Sequence, residues 1–78
     1  MARQMIYCVQ PFVQKGRKLV GSDLRQFKTE ADARRVGESM AGRSAGVLVY
    51  EIEGDAEFED WGEPKELARH GEVPDVAF

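Results

Sequence analysis

The chain of 78 residues has the size of one small domain, and a chain this short has little room for a deep, enclosed catalytic pocket beside its core. Hydrophobic residues make up 42% and charged residues 32% of it, which excludes a disordered tail and is typical of a folded soluble protein. The net charge of −3 excludes the strongly basic class of nucleic-acid-binding proteins.

Cys8 is the only cysteine, so an intramolecular disulfide is excluded. The first residues contain no apolar stretch of the length that a signal peptide needs, and no apolar window is long enough to span a membrane. We therefore expect a cytoplasmic protein without a membrane partner.

The first predicted strand runs from Met5 to Val13. Alternation places Met5, Tyr7 and Val9 on one face and Ile6, Cys8, Gln10 and Phe12 on the other. Both faces are apolar near the middle, which favours a central strand. Pro11 cannot donate to the ladder, so we expect an end, a bulge or an edge there.

A hairpin follows, and Gly16 is predicted to supply its positive φ. Lys18 begins the predicted return strand, and 21–23 form a turn or bulge. The chain is then expected to resume extended pairing from Leu24 to Phe27.

Thr29 and Asp32, three residues apart, form a variant of the capping box at the start of a predicted helix. We expect this helix to run from about Glu30 to about Ser44, with Gly46 as its C-terminal stop. Its apolar stripe recurs at i, i+3, i+4, i+7 and i+8 and predicts the face that packs on a sheet, formed by Ala33, Val36, Gly37, Met40 and Ala41.

Residues 47–53 have the chemistry of a strand, and a turn is predicted at Gly54 and Asp55. Residues 56–61 are predicted to form a short fourth strand. Pro64 stands where a first helical residue would, so we expect a short helix over Lys65 to His70, ended by Gly71. Residues 72–78 are predicted to be an irregular tail.

These elements predict a single α+β domain over residues 1–78, in the order β-β-α-β. The expected architecture is a small, mostly antiparallel sheet of three or four strands, covered on one face by the main helix and followed by the short C-terminal helix. The other face is expected to be covered by the segment 61–70, by a second copy or by solvent.

Four short strings resemble a set of short, uncharacterised proteobacterial proteins, and the likeness extends over most of the chain. The strings are Tyr7-Cys8-Val9-Gln10-Pro11-Phe12, Ala45-Gly46-Val47, Gly54-Asp55 and Leu67-Ala68-Arg69-His70-Gly71-Glu72-Val73-Pro74. The resemblance implies a compact bacterial domain and carries no activity, ligand or catalytic residue with it.

Charge is divided unevenly along the chain. Residues 1–43 contain nine basic and four acidic residues, a net charge of +5, and residues 44–78 contain two basic and ten acidic residues, a net charge of −8. Such a division indicates two partners of opposite charge, attraction between copies, or two parts folded against each other.

The densest acidic run has seven carboxylates in thirteen residues: Glu51, Glu53, Asp55, Glu57, Glu59, Asp60 and Glu63. A solvated strand edge that discourages aggregation, a surface for a basic partner and a cation site are the alternatives. The spacing does not match an EF-hand, and we predict no metal and no cofactor.

Cys8 and His70 are the one thiol and the one imidazole from which a nucleophile and its base could be built. A buried strand cysteine and a histidine at a helix end explain both residues without catalysis. No catalytic constellation is found, so we predict that the chain is not an enzyme.

The leading hypothesis is a small non-enzymatic protein-interaction module that binds another protein or itself, as a homodimer. Its expected contacts are Tyr7, Tyr50, Trp61, Glu51 and Glu53. The alternative is a weak nucleic-acid-binding protein that uses the basic hairpin and helix, through Arg17, Lys18, Arg34, Arg35 and Arg43.

Overall fold

The computed structural model describes residues 3–55 and 60–74. Its elements, in chain order, are β1 (Gln4–Lys15), β2 (Lys18–Gly21), β3 (Arg25–Phe27), α1 (Glu30–Ala41), β4 (Gly46–Asp55), β5 (Asp60–Trp61) and β6 (Lys65–Gly71). The predicted α+β class is confirmed: one antiparallel sheet carries one helix among the described residues.

The two long strands β1 and β4 form the centre of the sheet. They pair antiparallel from Gln4 opposite Gly54 to Phe12 opposite Gly46. The free side of β1 pairs with β2 and then β3, and the free side of β4 pairs with β5 and β6. Six strands therefore make a sheet that is four strands wide.

Pro11 lies inside β1 and is fully buried. Its carbonyl accepts the N–H of Ser22 at 2.9 Å, so the side of Pro11 that lacks an N–H faces the break between β2 and β3. The Gln10 Nε2 donates to the carbonyls of Pro11 and Ser22 across the same break. The interruption therefore falls on the neighbouring strands, and β1 continues to Lys15.

The helix begins as the sequence predicts and ends earlier. The Thr29 hydroxyl oxygen accepts the backbone N–H of Asp32 at 3.2 Å, which is the expected N-cap. The last helical residue is Ala41 and the C-cap is Gly42, whereas Gly46 is already the first residue of β4.

The core lies between α1 and the centre of the sheet. Val9, Ala33, Val47 and Val49 are completely buried there. A Cβ at Gly37 would stand 2.5 Å from Val49 Cγ2, so the absence of a side chain allows the helix to approach this closely. A helix interior glycine costs about 1 kcal/mol relative to alanine, and this close packing offsets that cost.

The predicted C-terminal helix over Lys65 to His70 is wrong, because these residues form strand β6. Six residues are too few for a helix without strong tertiary support. In the extended form they supply hydrogen-bonding partners to the open edge of β4 from Gly46 to Glu51. Gly71, with φ of 65°, ends this strand rather than a helix.

The predicted strand order is also incomplete, since the sheet has six strands rather than three or four. The turn predicted at Gly54 and Asp55 is wrong, because both residues belong to β4. Of the predicted short strand, Asp60 and Trp61 form β5, and 56–59 lie outside the described residues, as do 75–78 of the predicted tail. Helix α1 is too short and too polar to cross a membrane, and it is the one helix of the described ranges.

Candidate protein-interaction site

Strand register assigns the side chains to two faces of the sheet. Val9 lies opposite Val49 and both pack under α1, so this is the helix face. Ile6 opposite Ile52 and Cys8 opposite Tyr50 alternate with them and lie on the other side. We call this second side the open face.

The open face carries a groove of about 220 Å³. Its floor comes from β1 and β4, and its sides come from the β2–β3 edge and from β5. The lining residues carry no formal charge at neutral pH, and they are Ile6, Cys8, Leu24, Gln26, Tyr50, Ile52 and Trp61. We call this the apolar groove.

The floor of the apolar groove is more buried than its sides. Cys8 is 3% exposed, whereas Leu24 and Trp61 are 45% and 38% exposed. A tryptophan and a leucine on opposite sides of an apolar trough present surface whose burial would be favourable. The groove can therefore receive an apolar side chain or a row of them.

Cys8 and Tyr50 share a side-chain hydrogen bond on the floor of the groove. Burial raises the pKa of the Cys8 thiol, and the bond to Tyr50 acts in the opposite direction. Burial together with the neighbouring Cys8 raises the pKa of Tyr50 from 10.0 to about 12. Both groups are therefore held in their neutral forms, as suits an apolar surface.

The raised pKa of Tyr50 predicts a loss of stability in alkali. Below pH 10.0 the phenol is protonated in both the folded and unfolded states; between pH 10.0 and about 12 the unfolded state loses its proton first. We expect the free energy of unfolding to fall by about 1–2 kcal/mol over this window, with allowance for the solvent contact of Tyr50. Urea unfolding at several pH values measures it. Tyr50→Phe should abolish this part of the loss, and an unchanged pH dependence in that variant would contradict the assignment.

The structure places the five predicted protein contacts in three locations. Tyr50 and Trp61 line the apolar groove. Tyr7 lies on the helix face and is partly buried against the core cluster. Ile6, Leu24 and Ile52 also line this groove and were not among the predicted contacts, although the alternation of β1 and β4 places Ile6 and Ile52 on the faces opposite Tyr7 and Val49.

Glu51 and Glu53 line a different groove, of about 310 Å³, with Met5, Glu63 and Lys65. Both glutamates have a basic neighbour. Lys65 lies opposite Glu51 in the ladder, and the Arg3 Nε is 3.6 Å from a carboxylate oxygen of Glu53. Like charges on one face of a strand repel each other, and a basic residue next to each glutamate reduces this repulsion.

Arg3 also connects the two halves of opposite charge. Its Nη1 donates to the Asp60 carboxylate at 3.0 Å, in addition to its contact with Glu53. In the described part of the chain, no group of three or more Asp, Glu, His or Cys side chains is arranged to hold a metal ion. Glu57 and Glu59 of the acidic run lie outside that part.

The basic residues predicted to contact nucleic acid lie in two regions. Arg34 and Arg35 are on the exposed side of α1, where they bond to Glu30 at 2.6 Å and Asp32 at 3.0 Å. Arg17 and Lys18 are at the β1–β2 hairpin, and Arg43 follows α1. These ion pairs reduce the positive charge that the helix presents to a nucleic acid. Nucleic-acid binding by these residues stays a prediction.

The thiol and the imidazole lie on different sides of the sheet. Cys8 is on the floor of the apolar groove, and His70 lies opposite Val47, on the helix face. Comparisons of the chain with protein-family models, curated proteins and solved structures find no match. Function is therefore inferred from the geometry of the chain itself.

Proposed function

We propose that the chain is a small non-enzymatic protein-interaction module that binds an apolar segment of a partner protein in the apolar groove. The observation that carries this proposal is the exposure of Leu24 and Trp61 on either side of an uncharged floor. Tryptophan and tyrosine are among the residue types that contribute most to protein interfaces, and Tyr50 and Trp61 both line this groove.

The size and shape of the groove favour a protein segment over a small molecule. Pockets for small ligands commonly enclose about 300–1,000 Å³ and surround most of the ligand. The apolar groove measures about 220 Å³ and is built on one face of a sheet, with sides at Leu24 and Trp61. An apolar side chain can enter it while the rest of the partner covers the rim.

We place this module in the cytoplasm. The sequence has one cysteine, and that thiol is buried at the groove floor, so the described chain gains no stability from a disulfide. A reducing compartment suits such a protein.

Trp61→Ala is expected to weaken partner binding about thirtyfold, because truncation of a tryptophan that anchors a protein interface typically costs about 2 kcal/mol. Partners are recovered from the native lysate on tagged protein, identified by mass spectrometry and then titrated in purified form.

Trp61 is the only tryptophan, so its fluorescence reports directly on occupation of the groove in the wild-type protein. We expect the emission to move to shorter wavelength as the partner covers it.

Val20→Ala is the matched control. Val20 is exposed to the same 38% as Trp61, but it lies on β2 outside the groove. We expect its effect on affinity to stay below about twofold. Equal affinity for the wild type and Trp61→Ala would refute the groove as the binding site. If partners are no longer recovered on the tagged protein after nuclease treatment, the binding depends on nucleic acid. The binding site would then be assigned to the basic hairpin and helix.

A further inference from the structure

Strand β6 forms an open edge of the sheet. It pairs with β4 on one side and with no other strand among residues 3–55 and 60–74. It is seven residues long and contains no proline. The edge of a sheet presents backbone N–H and C=O groups that can pair with a strand of another chain, and charged side chains such as those of β6 restrict this pairing to a partner with matching charges.

A bulge in β6 gives this edge an unusual arrangement of side chains. Ala68 lies opposite Val49 and Glu66 opposite Tyr50, so Leu67 is the extra residue. Leu67 and Ala68 both pack against the core on the helix side. Glu66 and Arg69 are therefore both on the open face, although they are three residues apart.

Glu66 and Arg69 are exposed and already bond to each other. Their side chains are 41% and 38% exposed, and the Arg69 Nη2 lies 2.6 Å from Glu66 Oε1. The order along the strand is acidic, apolar, apolar, basic. If a second copy of the strand runs in the opposite direction with Leu67 opposite Ala68, each acidic residue of one copy lies opposite a basic residue of the other.

We propose that β6 pairs antiparallel with β6 of a second copy of this chain, about a two-fold axis that passes beside Leu67 and Ala68. In that register Glu66 faces Arg69 of the second copy, and Arg69 faces Glu66 of the second copy. Opposite charges directly across an antiparallel pair are stabilising and like charges are destabilising. Without the bulge, Glu66 and Arg69 would lie on opposite faces and this match would not form.

The pairing has a consequence for binding, which rests on the proposed function. The two-fold axis is perpendicular to the sheet, so the open faces of both copies point to the same side. The two apolar grooves then lie on one continuous sheet and can engage two segments of one partner. Binding at both grooves raises the overall affinity through effective concentration.

The test is the molar mass of the purified chain over a wide concentration range, by sedimentation equilibrium. We expect the wild type to move from 8.8 kDa to twice that mass. Glu66→Arg places Arg against Arg in both contacts, and Arg69→Glu places Glu against Glu. Each variant alone is expected to raise the dissociation constant about tenfold or more.

Mixing the two variants gives the decisive result. In a mixed dimer every Arg again faces a Glu, so we expect an equimolar mixture to associate with nearly the wild-type dissociation constant. The intrachain bond between Glu66 and Arg69 is lost in both variants, so its loss cannot explain such a recovery. Glu63→Arg changes the net charge by the same amount as Glu66→Arg outside β6 and is expected to leave the wild-type mass unchanged.

A wild type that stays at 8.8 kDa, or a mixture that associates no better than each variant alone, would overturn the proposal. Circular dichroism confirms the fold of each variant. If a reversed charge prevents folding, Glu66→Gln and Arg69→Gln replace it, each with an expected loss of about threefold. Trp61→Ala should leave the mass unchanged, so a failed pairing and a failed groove are distinguishable.

Discussion

Replacement of Leu48 by alanine is expected to remove about 2–5 kcal/mol of folding free energy. Among residues 3–55 and 60–74, Leu48 is the largest of the completely buried side chains, and it lies on β4, which is paired along both edges. The surrounding backbone is held by hydrogen bonds on both sides, so it cannot collapse into the cavity. A domain of this length has a total stability of about 4–12 kcal/mol, and the variant would lose a large fraction of it.

Urea unfolding followed by circular dichroism measures this loss. Leu24→Ala is the matched control, because it makes the same chemical change at a leucine that is 45% exposed. We expect it to change stability by less than about 0.5 kcal/mol. Equal losses in the two variants would show that the buried Leu48 side chain is not closely packed.

Local sequence signals predicted the helix and the faces of the central strand well. The Thr29 cap and the apolar stripe through Ala33 and Gly37 depend on residues within one or two turns of each other. Alternation along β1 likewise separates Tyr7 from Ile6 without knowledge of the rest of the chain. Such periodic patterns are visible in sequence because the geometry of one element fixes them.

Strand β6 could not be predicted in the same way. Pro64 and Gly71 fit the ends of a short helix, and nothing nearby contradicts that interpretation. Without β6, one edge of β4, about twenty residues earlier in the chain, would have no pairing partner. The strand forms because pairing at this edge satisfies the backbone hydrogen-bonding groups of both segments. This tertiary effect overrides the local signal.

Only part of the candidate site could be predicted, because the rest of it also depends on tertiary pairing. Tyr50 and Trp61 were selected from the sequence as aromatic residues suited to an interface, and both line the apolar groove. Leu24 lies in the break between β2 and β3, where no periodicity assigns a side chain to a face. Its place in the apolar groove depends on the pairing of β3 with β1, which the sequence does not specify.

Gly46→Ala is expected to destabilise the fold by about 3 kcal/mol or more. A Cβ at this position would overlap the carbonyl oxygen of Glu72 and stand 2.9 Å from the Glu72 nitrogen. Both are backbone atoms, so no side-chain rotation relieves the contact. The end of β6 must move away from β4, and the bond from the Glu72 N–H to the Ala45 carbonyl, 3.0 Å in the native chain, is strained.

Gly42→Ala makes the same change at the helix C-cap. Gly42 has a φ of −78°, and the nearest atom to its added Cβ is 3.9 Å away, so we expect stability within about 0.5 kcal/mol of the wild type. Hydrogen exchange of both variants, read residue by residue, locates the damage. Exchange in Gly46→Ala should accelerate first at the Gly71 end of β6, since the added methyl group separates that end from β4. Uniform acceleration through α1 and β1 would show instead that the close contact at Gly46 supports the whole fold.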